Sequence, residues 1–263
     1  MRLDKFLADN NLASSREKAK KLIEEGLVTV NGKVINKPSY EVKIYDNTAV
    51  TGELCRYVGR GGLKLEGALK AFDVDVSGLV CADIGASTGG FTDCMLQNGA
   101  KLVYAVDVGH GQLDEKLIND ERVINIEGIN ARYLEKGLFK SKPQLMSCDL
   151  SFISLRLVIG NLLKCLDDSG KLIALIKPQF EVGKANIGKN GIVKDKKAHI
   201  RMLDELYAYF YSLGAVIKQI TYSPIKGGDG NIEYIALIEK AFEKENLPID
   251  FNALVDKAFT SLK

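Results

Sequence analysis

Apolar runs and amphipathic stretches alternate along most of the chain, and this alternation restricts the fold more than any other feature. Runs such as "LIALI" at residues 172–176 have the continuous apolar character of strands covered on both faces. Stretches with helical spacing separate these runs, the longest at residues 196–214. We therefore expect an α/β fold over residues 64–263, a doubly wound, mostly parallel, Rossmann-like sheet. The last two strands, 215–225 and 233–241, should face each other across a glycine-rich loop.

Residues 1–55 predict a small α+β domain in front of this sheet. A helical stripe runs through residues 3–12, and Ser14 or Ser15 can cap a second helix in "REKAKKLIEEG". Two short strands should follow around an Asn31-Gly32 turn, which is a strong hairpin signal, with more strand over residues 40–50. Residues 56–63, the end of a glycine-rich stretch, are the expected linker.

Basic side chains are concentrated in this first domain. The net charge of the whole chain is only +2, so a nucleic-acid site has to be local. A basic helix beside a hairpin can follow a phosphate backbone, although a solvated charged face would look the same. The expected RNA-binding residues are Lys5, Arg16, Lys18, Lys20, Lys21, Lys33 and Lys37, together with Arg60 of the linker.

The pattern of the first domain resembles the RNA-binding domain named after ribosomal protein S4. The matching elements are the opening Arg2-Leu3-Asp4, the Ser15-Arg16 helix start, Leu22-Ile23 followed by Gly26, and Val30-Asn31-Gly32 before Lys37-Pro38-Ser39. This resemblance covers nearly the whole segment, and it implies a structured RNA as partner.

Cysteine usage and hydropathy bear on where the protein works. The five cysteines form no C-x-x-C pair and lie mostly in apolar contexts, which favours reduced thiols in a cytosolic protein. The N-terminus lacks the apolar region of a secretory signal, and no run approaches the roughly 20 apolar residues of a membrane span. We therefore expect a cytoplasmic protein.

The stretch "ADIGASTGGFTD" at residues 82–93 forms a glycine turn between an expected strand and an expected helix. Gly85 and Gly90 have the spacing of a phosphate loop, but Phe91 stands where such a loop needs lysine. Ser87 occupies the second glycine position of the dinucleotide-binding motif. Neither a triphosphate nor a pyrophosphate therefore suits this turn.

Acidic residues end the first two strands of the expected sheet, Asp83 before the glycine turn and Asp107 24 residues later. An acid at the second position can accept both hydroxyls of a ribose. With the glycine turn, this favours a nucleoside cofactor without phosphates, of which S-adenosyl-methionine is the common one, over a packing turn without a ligand. The expected cofactor-binding residues are Asp83, Gly85, Ala86, Ser87, Thr88, Gly89, Gly90, Phe91, Asp107, Val108 and Asp149.

Asp149 and Lys177 end the fourth and fifth expected strands, so both point into one crevice if those strands are neighbours. A buried lysine whose charge state is set by a carboxylate partner can be tuned toward base chemistry, whereas a lone lysine would be a cation at the sheet edge. The segment "CDLSFISL" lacks the Asn/Asp-Pro-Pro-aromatic motif of amino-group methylases, so an exocyclic amine is disfavoured as the methyl acceptor. Nothing marks Cys148 as an activated nucleophile.

The larger domain resembles the FtsJ-type ribose methyltransferases, which use a Lys-Asp-Lys-Glu tetrad. The matching residues are Lys64 in "GRGGLKLEGA", Asp149 in "CDLSF", Lys177 in "IKPQFE" and Glu233 in "GNIEYIAL". Ser87-Thr88 replaces the usual Ala-Pro of the FtsJ loop. That difference, together with the N-terminal domain, makes the whole chain similar to the TlyA family, whose members are also called hemolysin A.

This resemblance implies 2′-O-methylation of cytidine in ribosomal RNA, with S-adenosyl-methionine as cofactor and ribosomal RNA or ribosomal subunits as partner. Lys177 would orient the 2′-hydroxyl and take or stabilise its proton, with Asp149 setting the charge state of the lysine. Lys64 and Glu233 would complete the polar pocket. No metal is expected, because the sulfonium methyl is already activated and the two histidines lack ligand spacing.

Three other functions have to be weighed against this one. A non-enzymatic RNA- or ribosome-binding factor would bind the cofactor without methyl transfer, which a complete tetrad disfavours. A membrane-active hemolysin needs a spanning or strongly amphipathic apolar segment, and the sequence offers none. Pseudouridine synthases often carry the same N-terminal domain, but they need no cofactor loop.

Overall fold

A computed structural model describes residues 1–52, 54–241 and 248–262 of the chain. These residues form two compact units, Met1–Arg56 and Tyr57–Lys263.

The N-terminal unit contains two helices and a small antiparallel sheet. The elements in chain order are α1 (Leu3–Asp9), α2 (Arg16–Glu24), β1 (Val28–Val30), β2 (Lys33–Val34) and β3 (Thr48–Val50), and the strand order is β2-β1-β3. Ser15 caps α2, because its hydroxyl accepts a hydrogen bond from the backbone N–H of Lys18 at 3.1 Å. Asn31 and Gly32 both have positive φ, at 51° and 76°, as the predicted hairpin turn requires.

The prediction of a strand through residues 40–47 is wrong, since only Thr48–Val50 of this region is a strand. The side chain of Asp46 accepts hydrogen bonds from the backbone N–H of Lys43 and from the amide of Asn31, both at 2.8 Å. These bonds close a turn. Ile44 and Tyr45, which lie within the expected strand, are 91% and 95% exposed.

The C-terminal unit contains one seven-stranded sheet with helices between its strands. Its strands are β4 (Val80–Ile84), β5 (Leu102–Val106), β6 (Val123–Ile126), β7 (Leu145–Cys148), β8 (Lys171–Ile176), β9 (Ala215–Tyr222) and β10 (Tyr234–Lys240). Its helices are α3 (Gly61–Phe72), α4 (Gly90–Gln97), α5 (Glu115–Ile118), α6 (Ile159–Cys165), α7 (Pro178–Glu181), α8 (Lys196–Ser212) and α9 (Phe251–Ser261).

The strand order is β6-β5-β4-β7-β8-β10-β9, and the first five strands in this order are parallel. β10 runs antiparallel to both β8 and β9. The predicted doubly wound, mostly parallel sheet is therefore confirmed, and the last two strands of the chain pair with each other, as expected.

Strand order determines where a ligand site can form. The chain runs from β4 outward to β6 and then returns to place β7 on the other side of β4, so the order reverses beside β4. Ligands bind at such a reversal, beyond the carboxyl ends of the parallel strands. β10 is antiparallel, so its first residue, Tyr234, pairs with the last residue of β8, Ile176. Residues just before β10 therefore lie at the same edge as residues just after β7 and β8.

Buried apolar side chains on the sheet and its helices form the main core of this unit. Tyr104, Tyr234 and Phe210 are the largest of its fully buried side chains. The N-terminal unit has a separate small core around Leu3, Leu7 and Ile23.

Candidate active site and RNA-binding surface

The glycine turn after β4 passes close to the chain segment that follows β7. Gly85 has a φ of +87°, and a Cβ at this position would collide with the carbonyl oxygen of Asp149. Glycine is therefore required here for both conformation and space. The turn ends at α4, whose first residue, Gly90, packs against the backbone of Gly59 and Gly62. The turn thus connects the ends of β4 and β7 with the start of α3.

Asp83 lies beneath this turn and is fully buried. Its carboxylate accepts hydrogen bonds from the backbone N–H and hydroxyl of Thr92, at 2.9 and 2.8 Å, and from the hydroxyl of Ser147 at 3.1 Å. Burial raises the pKa of Asp83 to about 7, and the nearby charge of Asp149 adds to this effect. Asp83 thus holds the start of α4 in place from below.

A cavity of about 710 Å³ opens beside the turn, at the ends of β4, β5 and β7. Asp107 lines this cavity, and its two oxygens accept hydrogen bonds from the backbone N–H groups of Ser87 at 2.8 Å and Gly109 at 2.7 Å. Two backbone donors thus fix the carboxylate, while each oxygen retains a lone pair for a further donor. Gly85, Val108 and Asp149 also line the cavity. Its volume is typical of small-molecule and cofactor sites.

The other predicted cofactor-binding residues of the glycine turn line a second cleft, except Gly89. A smaller cleft of about 210 Å³ is lined by Ala86, Thr88, Gly90 and Phe91, and by Lys64 and Arg60 on the side of α3. Ser87, Gly85 and Asp149 line both the cavity and the cleft. A Cβ at Gly89 would instead meet Leu117 and Leu113, so Gly89 allows α5 to pack against the turn.

Asp149 and Lys177 form an ion pair, as their strand positions predict. Lys177 Nζ lies 2.5 Å from Asp149 Oδ1, and the side chains are only 11% and 20% exposed. The amine also donates a hydrogen bond to the Ser151 hydroxyl at 2.9 Å. Asp149 Oδ1 is buried and accepts no hydrogen bond from the described residues, so its contact with the amine is an ion pair. The amine is therefore held between two groups of the segment that follows β7.

Lys64 and Glu233 form a second, more deeply buried pair. Lys64 Nζ donates a hydrogen bond to Glu233 Oε2 at 2.6 Å, and Glu233 is 2% exposed. Burial raises the pKa of Glu233, while Lys64 and Lys177 counteract the rise and Asp149 adds to it. The two pairs are therefore close enough to interact electrostatically, and one residue of each pair, Lys64 and Asp149, lines the cleft.

Two residues near these pairs were missed from the sequence. Ser151 lies two positions after Asp149 and contacts Lys177. Glu181 lies four positions after Lys177 and is 7% exposed. Serine and glutamate carry no special signal in a single sequence, so only the fold reveals these contacts.

Most of the predicted RNA-binding residues are exposed on the N-terminal unit, namely Lys5, Arg16, Lys18, Lys20, Lys21, Lys33 and Lys37, while Arg60 is exposed on the C-terminal unit. Arg16 and Arg2 both lie 3.0 Å from the buried carboxylate of Asp4. Hydrogen bonds from Arg2 are the main cause that lowers the pKa of Asp4 to about 2. Asp4 therefore positions two guanidinium groups that remain about half exposed, and Arg2 joins the predicted set.

The described residues contain no helix with both the length and the apolar character needed to cross a bilayer. Across the same part of the chain, no three histidine, cysteine or carboxylate side chains converge as a metal site would require.

Comparison with known proteins gives matches over both units. The sequence profile of the FtsJ-like methyltransferases matches residues 57–240, and that of the S4 domain matches residues 1–47. The Bacillus subtilis protein YqxC is 45% identical, over 100% of this chain and 95% of its own length. The 16S/23S rRNA (cytidine-2′-O)-methyltransferase TlyA of Mycobacterium tuberculosis is 42% identical, over 89% of this chain and 87% of its own. A solved structure from Streptococcus thermophilus, named after the hemolysins, has 44% identity and a TM-score of 0.80, covering 99% of this chain and 96% of that one.

Proposed function

Since the chain belongs to the FtsJ-like methyltransferase family, and within it to the TlyA group that carries an S4 domain, we propose that it methylates the ribose 2′-hydroxyl of a cytidine in ribosomal RNA. The observation that carries this proposal is the cluster formed by the ion pairs Lys177–Asp149 and Lys64–Glu233. It lies at the cleft beside the glycine turn, where a methyl donor and an acceptor could meet.

S-adenosyl-methionine is the cofactor that these residues would hold, and when bound it supplies a methyl group on a positively charged sulfur. Asp107 would accept the ribose hydroxyls of the cofactor, because its oxygens keep unused lone pairs that face the cavity. Gly85 lets the backbone of the turn come close to the cofactor. The cavity of about 710 Å³ is large enough for a nucleoside with an amino-acid tail.

Lys177 would act on the acceptor. A ribose hydroxyl is a poor nucleophile at neutral pH, so its proton has to leave as the new oxygen–carbon bond forms. The amine of Lys177, held by Asp149 and Ser151, would first release its own proton to solvent, and the neutral amine would then orient the 2′-oxygen and receive the proton of the hydroxyl. Asp149 would compensate the positive charge that results. Lys64 and Glu233 would fix the far side of the pocket, because a displacement of the reacting groups by about 1 Å would slow the reaction.

The N-terminal unit would supply RNA affinity. Its exposed lysines and the two arginines positioned by Asp4 suit the phosphate backbone of a folded RNA. We place the enzyme in the cytoplasm, with its ribosomal substrate.

A labelling experiment distinguishes ribose methylation from base methylation. Ribosomal subunits from a strain that lacks the protein are incubated with it and methyl-labelled S-adenosyl-methionine, and the RNA is then hydrolysed with alkali. Alkaline cleavage needs a free 2′-hydroxyl, so we expect the label in an alkali-resistant dinucleotide that begins with cytidine. Label in mononucleotides would mean base methylation. No incorporation, despite cofactor binding, would indicate a non-enzymatic binding factor.

A further inference from the structure

Glu181 is a buried carboxylate that the proposed methyl transfer does not use. Its Oε2 accepts a hydrogen bond from the Ser154 hydroxyl at 2.6 Å, and its Oε1 accepts one from the backbone N–H of Leu155 at 2.7 Å. Burial raises the pKa of Glu181, while the bonds from Ser154 and Leu155 counteract the rise. A buried carboxylate is costly to keep, so two short bonds to one loop suggest that holding this loop matters.

Lys177 holds the other end of the same loop, residues 149–155, through its contacts with Asp149 and Ser151. Lys177 is the N-cap residue of the single-turn helix α7, and Glu181 is the last residue of this helix, so both side chains come from one five-residue segment. The segment 177–181 therefore contacts both ends of loop 149–155, through Lys177 at one end and Glu181 at the other.

The middle of this loop is in a conformation that it would not keep by itself. Phe152 has a φ of +64°, an unfavourable region for a bulky side chain, and it is 91% exposed. Burial of its side chain therefore cannot be the force that holds this conformation. Phe152 contacts Phe180 of α7, with ring centroids 5.3 Å apart. Strain of this kind persists only where surrounding contacts fix the backbone.

We propose that Glu181 is a positioning residue for methyl transfer, which acts by fixing the end of loop 149–155 and thereby the contacts that Asp149 and Ser151 make with Lys177. This inference rests on the proposed function, because it assigns Lys177 to the acceptor hydroxyl. Glu181 touches neither substrate nor cofactor in this role. Its loss would let the loop relax, and the amine of Lys177 would lose its fixed direction.

Three variants of the full-length protein test this role. Glu181→Ala removes both bonds to the loop, and Glu181→Gln keeps the side-chain shape in case the first variant folds poorly. Asp195→Ala is the matched control, since Asp195 caps α8 by accepting a hydrogen bond from the backbone N–H of Lys197 at 3.0 Å and forms no hydrogen bond or ion pair with loop 149–155. It should lose a similar amount of stability without touching the site.

We expect Glu181→Ala to lower the single-turnover rate of methyl transfer to ribosomal subunits by about 10- to 100-fold, because a displacement of about 1 Å can cost that much. Affinities for S-adenosyl-methionine and for the subunits should change by less than about 3-fold, and Glu181→Gln should lose less rate than Glu181→Ala. Asp195→Ala should keep the normal rate. A rate for both Glu181 variants within about 2-fold of this control would overturn the proposal.

A double-variant cycle with Ser151→Ala tests the route of the effect. Ser151→Ala removes the hydrogen bond from Lys177 to the loop. If Glu181 acts through this loop, the two rate losses will not multiply in the combined variant, because neighbouring residues of one network are coupled. Losses that multiply to within about 2-fold would show independent effects and would contradict the proposal. Absence of methyl transfer by the unaltered protein would instead refute the proposed function.

Discussion

Replacing Lys64 with methionine removes the ammonium group that lies 2.6 Å from the Glu233 carboxylate and leaves this carboxylate, 2% exposed, without its closest cation. Breaking a buried ion pair by removing one partner destabilises a protein by about 3–5 kcal/mol. For a domain of this size, each kcal/mol lost from the free energy of unfolding lowers the melting temperature by about 2–4 °C, so we expect a decrease of about 6–20 °C. Replacing both partners by apolar residues, Lys64→Met with Glu233→Leu, should restore most of the stability while abolishing methyl transfer.

The pH dependence of the Lys64→Met variant gives a second check. Burial raises the pKa of Glu233, so the folded chain binds a proton that the unfolded chain releases above about pH 4.3. The free energy of unfolding of the variant should therefore fall as the pH rises from that value through the raised pKa, and the variant should be closest to the unaltered protein in acid. Calorimetry of the full-length protein across this pH range measures both effects.

The reasoning about this pair would be refuted by a decrease in melting temperature of less than about 3 °C, which would correspond to roughly 1 kcal/mol. A double variant as unstable as Lys64→Met alone would also contradict it, because the carboxylate would then not be the source of the loss.

Three further outcomes follow from the site and the RNA-binding surface. Asp107→Ala should weaken S-adenosyl-methionine binding by roughly 10- to 100-fold in calorimetry, since hydrogen bonds to a charged group contribute about 1.5–3 kcal/mol, and unchanged affinity would remove the ribose assignment. Gly85→Ala, which forces a Cβ against the carbonyl oxygen of Asp149, should lower both the melting temperature and the methyl-transfer rate. Lys18→Glu with Lys21→Glu on α2 should weaken binding to ribosomal RNA and reduce its salt dependence without changing cofactor affinity, and an unaltered salt dependence would place RNA elsewhere.

The order of apolar runs and helical stretches predicted the sheet because each parallel strand has to be covered on both faces. Asp149 and Lys177 could be placed together from the sequence, since β7 and β8 follow one another in the chain and are neighbours in the sheet. The position of Glu233 depends on β10 pairing antiparallel with β8, and for this residue the resemblance to a known family supplied what strand order alone did not.

Other features depend on contacts that no local pattern contains. The turn at residues 43–46 forms because Asp46 bonds to Lys43 and Asn31, although residues 40–44 just before and into it alternate between apolar and polar like a strand. Helix α9 was not predicted, and its burial against the core comes from Phe251, Val255 and Ala258. The partners of Glu181 lie 26 and 27 positions away, which only the packing of α7 against the loop after β7 explains.

Lys177 is the residue on which the account depends most, since it would orient and deprotonate the acceptor. In single-turnover methylation of ribosomal subunits with labelled S-adenosyl-methionine, Lys177→Ala should be slower by about 100-fold or more. Affinities for cofactor and RNA should stay close to normal, because neither depends mainly on this amine, and Lys177→Arg should not restore the rate, because a guanidinium stays protonated. A Lys177→Ala protein that methylates at a near-normal rate would contradict the account and leave Lys177 as a structural cation at the end of β8.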